Sequence, residues 1–172
     1  MLKADGSSAG LSDGRGMSDG ADAVPLLVFV VEGREHALGL DAVVRVLPMM
    51  DMAPLPAAPA LVAGVVNIGG SIVPVMDLRR RLGYPPRAPG LSDVLVLATG
   101  RRRRMALAAD AVRGVVARPP SAITEATALA GAALPMAGVV KLDGGLALIH
   151  DLDAFLTPED DARLAAALEA AP

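Results

Sequence analysis

One fifteen-residue pattern occurs twice in this chain. GVVNIGGSIVPVMDL begins at Gly64, GVVKLDGGLALIHDL begins at Gly138, and the two stretches align without a gap. Each consists of a short apolar run, a glycine-containing turn, a second apolar run and the pair Asp-Leu. Two apolar runs joined by glycines predict a β-hairpin, because a tight hairpin turn needs positive φ at its centre. The repeat therefore predicts two copies of one β-rich unit.

The segments before each hairpin also follow a common order. A strand, a turn, a return strand, a further apolar run and a proline-containing crossing precede the first hairpin, and the same order precedes the second. Two units of about five short strands predict a mainly β protein with two five-stranded barrels side by side. Apolar residues occupy both parities of several strands. One parity fills a barrel, so the other must face the sister barrel or a partner.

The predicted boundaries follow from this order. Residues 1–23 are rich in Gly, Ser and Asp and predict a disordered leader, because they contain too little apolar surface to offset the entropy of ordering. The domain is expected over 24–156, with approximate barrels over 24–90 and 91–156. Residues 157–172 predict a short C-terminal helix and tail, in which Thr157 is the N-cap and Pro158 the first helical residue.

Several functional classes are disfavoured by composition. The chain has no cysteine, which excludes disulfides, thiolate metal sites and a cysteine nucleophile. Its net charge of −3 argues against general nucleic-acid binding. No apolar run is long enough to span a bilayer, and no signal peptide is visible, so the expected location is cytoplasmic without membrane insertion.

The ionisable residues most suited to catalysis are the two histidines and one pair of aspartates. His36 and His150 lie in strand patterns, which favours buried or surface strand residues over a catalytic or metal site. Asp77 and Asp151 end the two repeated stretches, and their equivalent positions favour a shared capping role. The alternative is a small-ligand-binding or catalytic β-barrel that uses all four residues. No cofactor or metal is predicted.

Arginine clusters occur at two places. The run Arg101–Arg104 predicts a solvated hairpin turn, and its alternative is a basic turn that binds nucleic acid. The run Arg79–Arg81 predicts the last turn of a short helix that ends at Gly83.

The stretch VAGVVNIGGSIVPVMDLRRRLG resembles the signature of the CheW-like family of bacterial chemotaxis coupling proteins. That pattern is a Gly-Val-apolar-Asn-Leu/Ile-Arg-Gly hairpin followed by Ile-Val/Leu-Pro, two apolar residues and Asp-Leu-Arg. LLVFVVEGREHALGLDAVVRVL and the second hairpin with the C-terminal helix also fit, so the resemblance extends from Leu26 to about Leu168.

The resemblance implies two SH3-like barrels side by side and a non-catalytic adaptor. Such a scaffold couples the cytoplasmic tips of methyl-accepting chemoreceptors to the regulatory domain of the histidine kinase CheA, in chemotaxis or a related chemosensory pathway. The kinase domain binds barrel to barrel, and the helical receptor tip packs in an apolar groove where the barrels meet. The protein would be recruited to receptor arrays at the inner membrane.

The resemblance also implies partner-binding residues. They are Val43, Arg45, Gly64, Asn67, Gly69, Gly70, Val94 and Leu95. Two of these positions depart from the family pattern: relatives often have an acidic residue at the position of Arg45 and usually have arginine at that of Gly69. Glycine cannot supply the planar fork of donors that arginine offers.

Overall fold

The computed structural model describes residues 22–129 and 136–172, so nearly all of the predicted leader lies outside the described residues. The described part contains eleven strands and two α-helices. The strands are β1 (Val24–Val31), β2 (Arg34–Gly39), β3 (Val43–Pro48), β4 (Val62–Ile68), β5 (Ser71–Met76), β6 (Val94–Thr99), β7 (Arg104–Ala109), β8 (Ala111–Arg118), β9 (Ile123–Glu125), β10 (Met136–Leu142) and β11 (Gly145–His150). The helices are α1 (Leu78–Leu82) and α2 (Pro158–Glu169).

These strands form two sheets. One sheet has the order β8-β1-β2-β11-β10-β9, and the other has the order β3-β6-β7-β5-β4. Most neighbouring strands are antiparallel. Each sheet also contains one short parallel ladder, β2 with β11 and β5 with β7. The prediction of a mainly β protein with two β-units and a short C-terminal helix is confirmed.

The sheets differ from the predicted division of the chain into 24–90 and 91–156. The first hairpin, β1–β2, joins β8, β10 and β11 from the second repeat. Its counterpart, β6–β7, joins β3, β4 and β5 from the first repeat. The two repeats thus exchange their leading hairpins within one chain. We call the unit built on β1, β2 and β8–β11 the first barrel, and the unit built on β3–β7 the second barrel.

The apolar residues of β1 alternate between two clusters. Leu26 and Val28 pack inside the first barrel, whereas Leu27 and Phe29 belong to a second cluster that faces the other barrel. That second cluster also contains Val96 and other residues of β6 and β7, together with residues of both helices. A strand buried on both faces explains why its sequence is apolar at both parities.

The turns follow local sequence chemistry. Gly69 and Gly70 connect β4 to β5 with φ of 59° and 86°, the primed geometry that the glycine pair predicts. The second hairpin turns at Asp143-Gly144 as predicted, but there the positive φ belongs to the next residue, Gly145.

Both predicted caps are confirmed at the paired aspartates. The carboxylate of Asp77 accepts a hydrogen bond from the backbone N–H of Arg80 and caps α1. The carboxylate of Asp151 accepts one from Asp153 and caps a single 3₁₀ turn after β11. Gly83 ends α1 in the left-handed conformation, and Thr157 caps α2.

The glycine that begins each repeated stretch has a specific packing role. A Cβ on Gly64 would lie 2.7 Å from the carbonyl oxygen of Ala53, and one on Gly138 would lie 2.4 Å from that of Thr124. In both cases a neighbouring segment pairs with the hairpin at this point, and the hairpin register shifts there. The repeated glycine therefore admits a second backbone against the hairpin.

Candidate partner-binding surfaces

Strand β3 is an edge of the second barrel's sheet, and it exposes apolar side chains. Val44 is 47% exposed and Val46 is 39% exposed, with the exposed Arg45 between them. A bulge interrupts the pairing of β3 with β6 at Val44, which lets successive residues face outward. Two of the sequence-predicted partner residues, Val43 and Arg45, lie on this strand. Arg45 is accessible, whereas Val43 is partly buried against the cluster between the barrels.

The tip of the β4–β5 hairpin is a second exposed feature of the same sheet. Asn67, Gly69 and Gly70 are all exposed, and the Asn67 side chain accepts a hydrogen bond from the N–H of Gly70. Nothing lies within 4 Å of a Cβ built on Gly69. Ile72, just after the turn, is 49% exposed. The tip therefore presents a small apolar surface at the position where the family pattern usually has an arginine.

The remaining predicted partner residues are less accessible. Leu95 is completely buried inside the second barrel, so its side chain is not available to a partner. Val94 is partly buried, and Gly64 is buried beneath the Ala53 segment. Strand alternation explains the difference, because the sequence alone does not fix which parity of β6 faces inward.

The basic run Arg101–Arg104 forms the turn and start of a hairpin strand, as predicted, and much of its charge is internally paired. Arg103 donates to the Asp161 carboxylate from Nε at 2.8 Å, and it is mostly buried. Arg101 contacts Asp153 at 3.6 Å. Arg103 fixes the C-terminal helix to the β6–β7 turn, and Arg101 fixes the 3₁₀ turn before that helix. Pairing of Arg103 with an acid on the same chain leaves fewer free cations for the nucleic-acid alternative.

Helix α2 covers the β6–β7 turn closely. Leu164 is fully buried in the cluster between the barrels, beside Met105 of β7. The cavity left beneath the first turn of the helix, lined by Arg103, Met105 and Asp161 among others, is only about 10 Å³. Apolar packing and the Arg103–Asp161 pair thus seal this side of the molecule.

The equivalent place in the first repeat is open. There α1 is followed by an extended linker instead of a long helix, and Tyr84 stands where the start of α2 stands in the other half. The result is a cleft of about 510 Å³. We call this cavity the open cleft. Its lining residues are Gly33, Arg34, Glu35, His36, Tyr84, Arg113, Gly144, Leu146 and Leu148.

Apolar and cationic groups line the open cleft together. Leu146 is 71% exposed, the largest exposure among the large apolar side chains of the described strands. Arg34 occupies the position equivalent to Arg103, yet within residues 22–129 and 136–172 it forms no ion pair. Sequence reasoning missed this site. The one sequence feature that could have indicated it is Leu146, an apolar residue at a position of its strand where the side chain points outward.

An ionic network stands beside the open cleft. Arg79 pairs with both Glu32 and Asp110, and Arg87 of the linker pairs with Asp110 and Asp93. Burial alone would raise the pKa of Asp110, but hydrogen bonds from Arg79, the Glu32 backbone and Arg87 lower it below its usual value. The Glu32–Arg79 pair is the charge-reversed equivalent of Arg101–Asp153 in the other repeat.

The candidate catalytic residues do not assemble into one site. His36 and His150 do meet, with Nδ1 of the first 3.0 Å from Nε2 of the second, but both are buried. Asp77 and Asp151 are occupied as caps on separate elements. The catalytic alternative required these four groups in one accessible pocket, and the described residues do not provide that arrangement.

Neither described helix is long and apolar enough to cross a membrane. The described surface instead offers an apolar edge strand, a small hairpin tip and a cleft shaped by the absence of a covering helix. These features define a class of protein: a two-barrel module that binds other proteins.

The chain belongs to the CheW-like domain family, whose model matches residues 25–159. It is 27% identical over 137 residues to the chemotaxis protein CheW of Rhizobium meliloti (strain 1021), covering 78% of this chain and 88% of that protein. It is 24% identical over 140 residues to the chemotaxis protein CheW of Thermotoga maritima, covering 81% and 92%.

A solved structure shows the same fold. The scaffolding protein TtCheW of Thermoanaerobacter tengcongensis matches with a TM-score of 0.69 and 22% identity, over 76% of this chain and 90% of that one. The prediction of a CheW-like chemotaxis coupling protein is therefore confirmed for family and fold.

Proposed function

We propose that this protein is a scaffold that couples chemoreceptors to a CheA-type histidine kinase in chemotaxis or a related chemosensory pathway. The observation that carries the proposal is the pairing of two separate binding features, the open cleft and the exposed edge strand β3. A coupler needs two surfaces that can be occupied at once. The same proposal places the protein in the cytoplasm, recruited to receptor arrays at the inner membrane.

The open cleft is the proposed receptor site. One side of the equivalent surface in the other repeat, around Arg103 and Met105, is covered by α2, a helix with a buried leucine and an acidic residue paired to the turn arginine. A receptor tip is helical, so an amphipathic helix with an acid facing Arg34 would reproduce these contacts. Leu146 and Leu148 would supply the apolar contact.

Strand β3 and the neighbouring hairpin tip are the proposed kinase site. Val44 and Val46 provide an exposed apolar strand edge, which suits the barrel-to-barrel packing implied by the family. Arg45 between them favours an acidic group on the partner. The hairpin tip at Asn67, Gly69 and Gly70 is small and uncharged, so it would let the backbone of the kinase domain approach closely.

Leu146→Asp is expected to weaken receptor binding at least about ten-fold, because burying leucine contributes about 1.5–3 kcal/mol and an aspartate there would be desolvated. The measurement is titration of the protein with a soluble hairpin-tip fragment of a chemoreceptor from the same organism. Leu91→Asp is the matched control, since Leu91 is fully exposed in the linker, away from the open cleft. Equal affinity in the Leu146 variant and the control would remove the open cleft as receptor site.

Val46→Asp is expected to weaken binding of the CheA regulatory domain at least about ten-fold, since an apolar contact would be replaced by a charge at the interface. Receptor binding should stay unchanged. The Leu146 variant provides the converse control and should retain kinase binding. If Val46→Asp leaves kinase affinity intact while the protein stays folded, β3 is not the kinase site.

A further inference from the structure

The two histidines of this chain form a direct pair inside the first barrel's sheet. His36 lies on β2 and His150 on β11, with Nδ1 and Nε2 3.0 Å apart. Their exposures are 1% and 4%. The outer nitrogens, Nε2 of His36 and Nδ1 of His150, have no hydrogen-bond partner in the described structure. Two neutral rings satisfy each other through one hydrogen bond, with one ring donating and the other accepting.

Aromatic side chains surround the two histidine rings. Phe29 stacks on both rings at centroid distances of 5.9 and 6.0 Å. Phe155 lies 5.6 Å from the His150 ring, and Tyr84 meets the His36 ring edge-on at 6.5 Å. A cation formed here would lie among apolar surfaces with little hydration.

The other half of the molecule supplies an internal comparison. In the parallel ladders, Ala37 pairs with Ile149 and Ala106 pairs with Val75. Aligning these pairs places Met105 at the position of His36 and Met76 at that of His150. Both methionines are buried in the cluster between the barrels. The fold therefore accepts an apolar pair at this place, so packing alone does not require two histidines.

The pair also lies at a weak junction. Strands β2 and β11 come from different repeats, and only two residue pairs, at His36 and Ala37, connect them in parallel. Through His36 the junction forms part of the floor of the open cleft, and beyond His150 the chain leads into the capped turn before α2.

We propose that the His36–His150 pair is an acid-sensitive latch at the junction of the two repeats in the first barrel. In its neutral form the pair holds β2 against β11. Protonation of either ring places positive charge in a largely apolar site, and protonation of both rings also removes the acceptor of the shared hydrogen bond, so the junction opens. The equivalent junction of the second barrel, with its two methionines, does not respond.

The charged neighbours do not compensate such a cation. Arg34 on β2 disfavours protonation of His36, whereas Asp110 favours it but is already bound by arginines. Burial lowers the pKa of His36 although the backbone of Val31 opposes the shift, and burial together with the charge of His36 lowers the pKa of His150 to about 3.

The sign of the pH effect follows from these shifts. Both histidines have lower pKa values in the folded protein than the ordinary value of about 6.5, so the unfolded or opened form binds protons more readily. The stabilisation is fully present above about pH 6.5 and declines as the pH falls below it. Between about pH 7.5 and pH 5.5, His150 should shift the opening equilibrium about ten-fold, and His36 should add to the shift in the same direction.

The test is hydrogen exchange of the intact protein at about pH 7.5 and pH 5.5, corrected for intrinsic rates. The expected result is that opening of the β2–β11 amides increases at least about ten-fold relative to the β5–β7 amides. The double variant His36→Met/His150→Met, which copies Met105 and Met76, should lose this difference. An equal response of both ladders, or an unchanged response in the variant, would overturn the latch.

If the double variant fails to fold, a second measurement on the unmodified protein still tests the proposal. The imidazole NMR signals of the unmodified protein should show no titration near pH 6.5 while it stays folded; a normal titration would refute the proposal.

The consequence of the latch for signalling rests on the proposed function, since opening of the junction would disturb the open cleft. Failure of the receptor fragment to bind at neutral pH would refute the receptor site and leave the exchange result standing.

Discussion

Gly138→Val is expected to destabilise the protein by about 3 kcal/mol, the upper end of the usual cost of overpacking. The new Cβ alone would lie 2.4 Å from the Thr124 carbonyl oxygen and 3.2 Å from the Cα of Glu125. These are backbone atoms of β9, which pairs with β10 at this point, so relief requires the strands to separate. For a chain of this size the loss corresponds to a fall in Tm of roughly 6–12 °C, measurable by thermal unfolding followed by circular dichroism.

Gly144→Ala is the matched control, because it lies in the same hairpin and its Cβ would meet only the Glu35 carboxylate at 3.7 Å. That variant should unfold within a few degrees of the unmodified protein. Gly64→Val should behave like Gly138→Val, since Ala53 approaches Gly64 in the same way. Unchanged Tm values in both valine variants would contradict the explanation of the repeated glycine given above.

Local patterns predicted the elements well for a physical reason. A glycine pair between apolar runs specifies its turn whatever sheet receives it, and Asp77, Thr157 and Gly83 act within one helical turn of their own positions. The sequence also indicates that β1 is buried on both faces, because both its even-numbered and its odd-numbered positions are apolar. These interactions are short in sequence, so the sequence alone determines them.

The exchange of hairpins could not be predicted in this way. The hairpin β1–β2 has the same alternation of inward and outward side chains whether it pairs with strands of the first repeat or of the second. The two repeats have nearly the same apolar pattern, so the sequence does not favour either pairing. The choice depends on the single residue, Asp110, between β7 and β8, and on the short Leu40–Ala42 turn between β2 and β3. Asp110 donates its N–H to Val30, and its carboxylate accepts from Glu32, so contacts between distant segments fix the arrangement.

The candidate sites were predicted only in part for the same reason. Arg45 and the tip glycines are local surface features, and they are exposed as the resemblance implies. The open cleft exists because a helix is missing from one of two equivalent places, which only a comparison of the folded halves reveals. The histidine pair depends on a parallel contact between residues 36 and 150, and strand alternation says nothing about such a partner.

The exchanged repeats lead to a second large prediction: neither half of the chain should fold alone, and the two halves should fold together. The fragment 1–86 contains β1–β2 without the strands that flank it, and β3–β5 without β6 and β7 between β3 and β5. The fragment 87–172 has the complementary deficiency. Each isolated fragment would expose unpaired strand edges and half of the cluster between the barrels, so it should be unfolded or aggregated.

The position of the cut is chosen from the linker contacts. Tyr84 packs against the cluster between the barrels, and Arg87 binds Asp93 and Asp110, so a protease site inserted between Pro86 and Arg87 leaves both anchors in place. After cleavage of the folded protein, the halves should elute together with an unchanged circular dichroism spectrum. Their melting temperature should become dependent on concentration, because assembly is then bimolecular. Separately produced halves should regain the native spectrum only on mixing. A native-like spectrum from either fragment alone would mean that the sheets can form without exchange, which contradicts the strand order on which the open cleft and the latch both depend.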